Sequence, residues 1–414
     1  MCTTAFDSCG EYVASLSESG LIGPDHLERV AEFTRRSPDA GPRELAAFLL
    51  REGLLTQMQA AFLIEGRAAE LKVASYTLVN VLGTGTMGAV YKARSSKEEG
   101  WYAVKIVPRR NVVNLTAVVE KIKALKQVRH PRVSALVNVG AAGDKVFLVW
   151  PYIEGGQRLD DALRKLGKLP PRQAAQIALQ VASGLQPYHE QGLFHGLLKP
   201  SDVLIGADRR VRVLDFGVGF LLTSDRGKAI LDTMTNGKTL AKGLDCASPE
   251  SIMDSLARTP AGDQYSLGCI LYRCLTGQYP FPDSNPVKKM LAHQSEIPTP
   301  VRELAPETPP ALEAVVERLL EKAPEDRYPD IGEAAKELQA LTSSQRAFAA
   351  ATPRSKPVVA LPKPAAEKPS EERPEEQAKA PPPRPQHLAA AWIIGAGLAA
   401  GCVVGLLMLW LMHG

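Results

Sequence analysis

Apolar positions along the chain change their spacing several times, and each change marks a different kind of element. Over residues 1–74 the spacing is helical. Pro42-Arg-Glu-Leu45 opens a helix with Leu45, Phe48 and Leu49 on one face, and Gly53 ends it. Thr56 is placed to cap the next helix, whose apolar residues include Met58, Phe62 and Leu63. From Tyr76 the pattern becomes that of strands, in "YTLVNVLGTG", "GAVYKAR", "WYAVKIV" and "KVFLVW". It returns to helices in "RQAAQIALQVASGLQPYH", "DQYSLGCILYRCL" and "ALEAVVERLLEKA". Strands followed by helices predict an α+β architecture in two lobes. We place a small helical module at 1–74, used for packing against its neighbour, and the two-lobed domain at 75–343, dividing after residue 150.

Beyond that domain the composition shifts. Residues 344–387 are rich in Pro, Ala, Lys and Glu and nearly lack aromatics, so they cannot bury enough surface to fold. They read as a spacer, on the order of 100 Å long if fully extended. Residues 388–412, "LAAAWIIGAGLAAGCVVGLLMLWLM", carry no charge and are long enough to cross a bilayer. The N-terminus lacks the basic and apolar regions of a signal peptide, and Lys379 and Arg384 precede the apolar run. The expectation is a single-pass, tail-anchored protein of the cell inner membrane, with its folded part in the cytoplasm. Gly397, Gly401 and Gly405 fall on one face of that span, where two helices can approach closely as a homodimer.

Charge and cysteine content add two exclusions. The formal net charge of +4 over 414 residues gives no hint of a nucleic-acid surface. The six cysteines are scattered without a Cys-x-x-Cys pair, which suits reduced thiols and argues against a disulfide framework or a zinc site.

The chemistry-bearing motifs lie in the two-lobed domain. Gly83-Thr-Gly85-Thr-Met-Gly88 fits G-x-G-x-x-G, but a strand follows it where a dinucleotide fold would place a helix. Glycines between two strands let backbone lie close over phosphates, because no Cβ intervenes. A strand lysine, Lys105, follows in Ala-Val-Lys, and Leu214-Asp215-Phe216-Gly217 and Ser248-Pro249-Glu250 stand far downstream.

With His130-Pro131, His195 to Leu204, Asp263 in "DQYSLG" and Arg327 in "PEDRY", these motifs occur in a familiar order. The stretch from Tyr76 to Leu341 resembles a bacterial, eukaryotic-like, membrane-anchored serine/threonine protein kinase, and the fold implied is the two-lobed kinase fold. The segment "LLTQMQAAFLIEGRAAEL" is similar to a short module that precedes some bacterial kinase domains. The resemblance implies that Gly83, Gly85 and Gly88 cover the phosphates of ATP, with Val90 and Ala103 against the adenine. The Ile153 N–H would bond the base, Lys105 would contact phosphates, and Asp215 would hold Mg²⁺. Trp150 falls at the gatekeeper position, closing the pocket behind the adenine, and Pro151 follows it.

The catalytic loop departs from the family. In place of H-R-D-L-K-P-x-N stands His195-Gly196-Leu197-Leu198-Lys199-Pro200-Ser201-Asp202. Leu197 occupies the position of the proton-accepting Asp and can neither accept a proton nor orient a hydroxyl. Lys199 is retained, Gly196 replaces the Arg, and Asp202 replaces the Asn that ligates a second Mg²⁺. Family spacing puts Lys121 where a Glu pairs with the strand lysine, unless a one-residue insertion brings in Glu120. "KGLDCASPE" lacks the Thr and Tyr that shape substrate docking. The reading is a degenerate, nucleotide-binding member: a pseudokinase with weak ATP and Mg²⁺ binding, acting as a scaffold or regulator for protein partners. Two alternatives stand beside it. One is an active serine/threonine kinase with a non-standard loop, the other a structural adaptor that binds no nucleotide.

Overall fold

The computed structural model describes residues 5–6, 8–85, 88–109, 115–196, 198–216, 243–254, 257–344 and 348. The predicted span at 388–412 and the spacer beyond residue 348 lie outside them. Among the described residues no helix is long and apolar enough to cross a membrane.

The N-terminal module is four helices: α1 (Cys9–Ser19), α2 (Pro24–Arg36), α3 (Pro42–Arg51) and α4 (Gln57–Ile64). They close on a core that includes Tyr12, Leu16, Val30, Leu45, Leu49 and Leu63. Pro42 opens α3, and Gly53 leaves it in the left-handed conformation at φ 67°. Thr56 caps α4 through a hydroxyl that accepts from the Gln59 N–H at 3.3 Å.

A six-stranded antiparallel sheet follows, in the order β1-β2-β3-β4-β6-β5. Its strands are β1 (Lys72–Val73), β2 (Tyr76–Gly85), β3 (Gly88–Ser95), β4 (Trp101–Pro108), β5 (Asn138–Ala142) and β6 (Lys145–Pro151). Helix α5 (Leu115–Gln127) lies between β4 and β5 in the chain. The outer strand β1 covers only Tyr76 and Thr77 of β2. Just past it, at a register shift, the Thr56 hydroxyl donates to Val79 O at 2.5 Å and Gln59 Nε2 donates to Leu78 O at 2.9 Å. Helix α4 thus satisfies sheet-edge carbonyls that would otherwise be left to water or to another chain. Leu21, Met58 and Phe62 pack on the apolar sheet cluster of Tyr76, Leu78, Tyr102 and Phe147. The module belongs to the same compact unit as the two-lobed domain.

The second lobe begins with a three-stranded sheet, β7 (Gln157–Arg158), β8 (Val203–Ile205) and β9 (Val211–Val213). Helices α6 (Leu159–Leu166) and α7 (Pro171–His189) precede β8. The later helices include α8 (Pro249–Met253), α9 (Pro260–Thr276), α10 (Pro286–Ser295), α11 (Val301–Leu304), α12 (Pro310–Leu319) and α13 (Ile331–Ser343). Helix α9 is buried on nearly every face, the condition under which an all-round apolar helix is stable. Its N-cap Thr259 accepts from the Gly262 N–H, and Gly277 ends it at φ 83°. One apolar core runs through this lobe and reaches Val107, Ile122, Leu148 and Trp150 of the first.

Candidate functional site: the cleft between the lobes

A cleft of about 780 Å³, open to solvent, lies between the two lobes. Val90 and Ala103 line its roof, Ile153 the connection between lobes, and Leu204 and Asp215 its floor. The Ile153 N–H makes no backbone hydrogen bond among the described residues, which leaves it to a ligand. Trp150 lines the back wall with only 3 % of its surface exposed.

The glycines form the end of the β2–β3 hairpin, with Gly83 opposite Val90 and Gly85 opposite Gly88. Only glycine fits at 88. Its φ is +126°, and a Cβ there would stand 2.0 Å from Ile106 O. At Gly83 a Cβ would instead meet the Arg158 guanidinium, with Nη1 at 3.5 Å.

Lys105 sits on β4 opposite Val90 and is buried. Its Nζ bonds Asp215 Oδ2 at 2.6 Å, a direct ion pair between the two lobes. Burial opposes ionisation of Asp215. The adjacent Lys105 charge and hydrogen bond, with Lys199 and Arg158 further off, outweigh it and hold the carboxyl below its ordinary range. Asp215 also adopts φ 56°, a left-handed backbone that non-glycine residues reach only when their surroundings impose it. Glu120, offered by the sequence as a partner for Lys105, is 62 % exposed and bonds Lys123 at 2.7 Å. One residue of helix turns a side chain by about 100°, so position 120 faces water. Lys121 lies on α5, and its side chain is outside the described set.

A second pair forms in the loop. Lys199 Nζ lies 2.9 Å from Asp202 Oδ2 and 3.0 Å from Oδ1. Burial alone would lower the Lys199 ammonium, but the Asp202 and Asp215 carboxylates raise it above its ordinary range. The two sequence-predicted metal carboxylates therefore each hold a lysine. Among the described residues no group of three His, Cys, Asp or Glu side chains gathers to hold a metal. Asp215 and Asp202 remain the oxygen donors a Mg²⁺ would use, on exchange for those lysines.

Leu197, at the proton-acceptor position, lies outside the described residues, but its neighbours are well placed. Asp263, fully buried at the start of α9, accepts from the His195 N–H at 2.7 Å and the Gly196 N–H at 2.8 Å. His195 Nε2 lies 2.9 Å from Leu214 O, and its ring meets Phe216 edge-on at 5.6 Å. Glu250 and the buried Arg327 pair through both oxygens, at 2.8 and 2.9 Å. Gly196 stands at φ +77°, and a Cβ there would meet Arg258 Cδ at 3.1 Å and the Phe194 ring at 3.2 Å. Arg258, which sequence reasoning passed over, fills that space from a distant segment. It is 3 % exposed, and burial pulls its guanidinium down to about 10.

These positions can now be set beside known proteins. The family model described as "Protein kinase domain" matches residues 76–339. The chain belongs to the protein kinase domain family. It is 32% identical over 282 residues to serine/threonine-protein kinase PknB of Mycobacterium leprae (strain TN), covering 65% of this chain and 43% of that protein. It is 30% identical over 238 residues to CBL-interacting protein kinase 21 of Oryza sativa subsp. japonica, covering 56% of this chain and 44% of that one. The chain thus spans less than half the length of these relatives. The crystal structure of a double mutant of the Mycobacterium tuberculosis PknI kinase domain matches with a TM-score of 0.51 and 20% identity, over 66% of this chain and 97% of that one. That likeness bears on the fold alone.

Protein kinases generally use ATP and Mg²⁺. In this kinase domain the glycine hairpin lies over the cleft, and Lys105 on β4 pairs with Asp215 at its floor. Sequence reasoning missed Arg158, and with it Asp161, which also lines the cleft and is bonded to Arg164. An arginine in "GGQRLDD" reads as a solvated residue near a helix start. Only its approach to Gly83 across the cleft distinguishes it.

Proposed function

We propose that this chain is a nucleotide-binding pseudokinase, held at a membrane by its C-terminal apolar segment and acting on protein partners by conformation. The observation that carries the reading is the pairing of Lys105 with Asp215 at 2.6 Å and of Lys199 with Asp202 at 2.9 Å, beside a loop whose base position is Leu197. In an active site these lysines serve the transferring phosphate, and the carboxylates serve metal. Here they neutralise one another, and no carboxylate stands where a substrate proton would go. The residues kept intact, Asp263, His195, Glu250 and Arg327, hold the fold together. Bound Mg²⁺ would neutralise phosphate charge next to Asp215 and Asp202.

An active kinase is the second reading. Metaphosphate-like transition states need little help from a base, and Lys105 stands against Asp215 while Lys199 stands against Asp202. Both readings meet in one experiment on the full-length chain in detergent: MgATP-dependent thermal stabilisation, and transfer of labelled γ-phosphate to a generic protein substrate. Stabilisation without transfer is the expected result. Transfer that disappears in Lys105→Ala would establish the active kinase, and no stabilisation at millimolar MgATP would leave an adaptor that binds no nucleotide.

A further inference from the structure

The charged groups around the cleft are mostly paired. Asp215 has Lys105, Asp202 has Lys199, and Asp161 shares Arg164 with Asp160. The Arg158 side chain is left over: among the described residues it makes no hydrogen bond and no ion pair, though it lines the cleft. It is partly buried, on β7 where the second lobe begins, and its guanidinium points up to the first glycine of the hairpin. Its charge also reaches Asp215, helping to hold that carboxyl low. Arg158 therefore lines the cleft next to the glycine hairpin, and its charge is felt at Asp215.

We infer that Arg158 is a phosphate-binding residue of this cleft, and that it lets a nucleoside di- or triphosphate bind with little dependence on a divalent cation. This rests on the nucleotide-binding reading above. The physics is a balance of charge. Where carboxylates face the phosphates unpaired, metal is needed to bridge anion to anion. In this cleft Asp215 and Asp202 are already neutralised by lysines, which leaves the Arg158 guanidinium to meet the phosphates. A guanidinium presents a planar fork of donors that matches two phosphate oxygens at once, and it stays ionised at every working pH.

The test is calorimetric titration of the full-length chain in detergent with ATP, ADP and adenosine, each in Mg²⁺ and in EDTA. The same series is run on Arg158→Ala and, as a second variant that keeps length and polarity, Arg158→Gln. Unliganded melting first establishes that each variant is folded. The inference requires that EDTA weaken wild-type ATP binding by less than about tenfold. It requires also that both variants lose at least about tenfold for ATP and ADP while adenosine is unchanged. Equal loss for adenosine would mean that Arg158 serves the sugar or the base, and no loss for ATP would mean that it serves neither; both overturn the inference. Strict dependence of wild-type ATP binding on Mg²⁺ overturns it as well. Wild type that binds adenosine but gains nothing from phosphates would sink the phosphate role alone, and wild type that binds none of the three would sink the nucleotide-binding reading beneath it.

Discussion

The Lys105–Asp215 pair joins a strand of one lobe to a loop of the other, and its strength can be worked from the structure. At 2.6 Å and an effective dielectric of about 20, the attraction is about 6 kcal/mol before desolvation is charged against it. Removing one partner of a buried pair typically costs about 3–5 kcal/mol, because the survivor is left charged and unmatched. Asp215 keeps 22% of its side-chain surface exposed, so water partly rescues it and the lower end applies. We expect Lys105→Met and Asp215→Asn each to cost roughly 2–3 kcal/mol, and the double variant about 2 kcal/mol, since removing both leaves no buried charge. The coupling is then about 2–4 kcal/mol. The sign with pH follows from Asp215. Its carboxyl is held down in the folded state, so the contribution is complete above about 3.9, the value of an unperturbed Asp, and is lost as pH falls through the lower folded value. The assay is urea denaturation at pH 7 of the four proteins of the cycle. Costs that add to within about 0.5 kcal/mol would refute the pair as an inter-lobe clip.

Three further outcomes are expected. His293 is fully buried beside Tyr265, and burial, with Lys322 and Lys289 nearby, lowers its imidazole to about 3. The unfolded chain binds that proton near 6.5, so stability falls by about 2 kcal/mol from pH 7 to 5, and His293→Gln should flatten the slope; an unchanged slope removes His293 as the cause. Gly196→Arg, which restores the family residue, should cost about 1–3 kcal/mol through its left-handed backbone and the crowding of Arg258, and adding Arg258→Ala should recover only the crowding; a single variant as stable as wild type contradicts the crowding. In the apolar tail, Gly401→Ile should abolish self-association in a bilayer assay, and equal association by the variant ends the homodimer proposal.

Much of the fold was legible because its first strands alternate clearly. The predicted "YTLVNVLGTG" is β2 itself, Tyr76–Gly85, and "DQYSLGCILYRCL" falls wholly within α9. The short strands β7, β8 and β9 escaped notice, since two or three residues carry no usable period. The site was legible where motifs carry it, in the glycines, Lys105 and Asp215. It was opaque where partners are far apart in sequence. Nothing in local pattern says that Lys105 meets Asp215 directly, that Glu120 faces water, or that Arg258 occupies the space a side chain at Gly196 would need. These are products of packing, and packing is decided by the whole core.

The same geometry determines what a repair of catalysis must include. Loss of a positioned base typically costs about 10²–10⁴ in rate, so Leu197→Asp would suffice if the base were the only lesion. The structure gives two reasons to expect otherwise. Lys199, the lysine that would serve the transferring phosphate, is held by both oxygens of Asp202. Lys105 is held by Asp215, while Glu120, the one Glu of α5, faces solvent. A base acts only on a hydroxyl already in line with a well-placed phosphate, and neither lysine is free to place one. Asp202→Asn should release Lys199 by removing its counter-charge, and Lys121→Glu should offer Lys105 a second carboxylate and so loosen it from Asp215. We expect no transfer from any single variant and measurable transfer only from Leu197→Asp, Asp202→Asn and Lys121→Glu combined, with strongly non-additive gains. The measurement is labelled γ-phosphate transfer by the wild type, the three single variants and the triple variant, with Lys105→Ala in the triple background as the control. Rescue by Leu197→Asp alone would show that the two lysines were available all along, and the account of a cleft neutralised by its own ion pairs would fail.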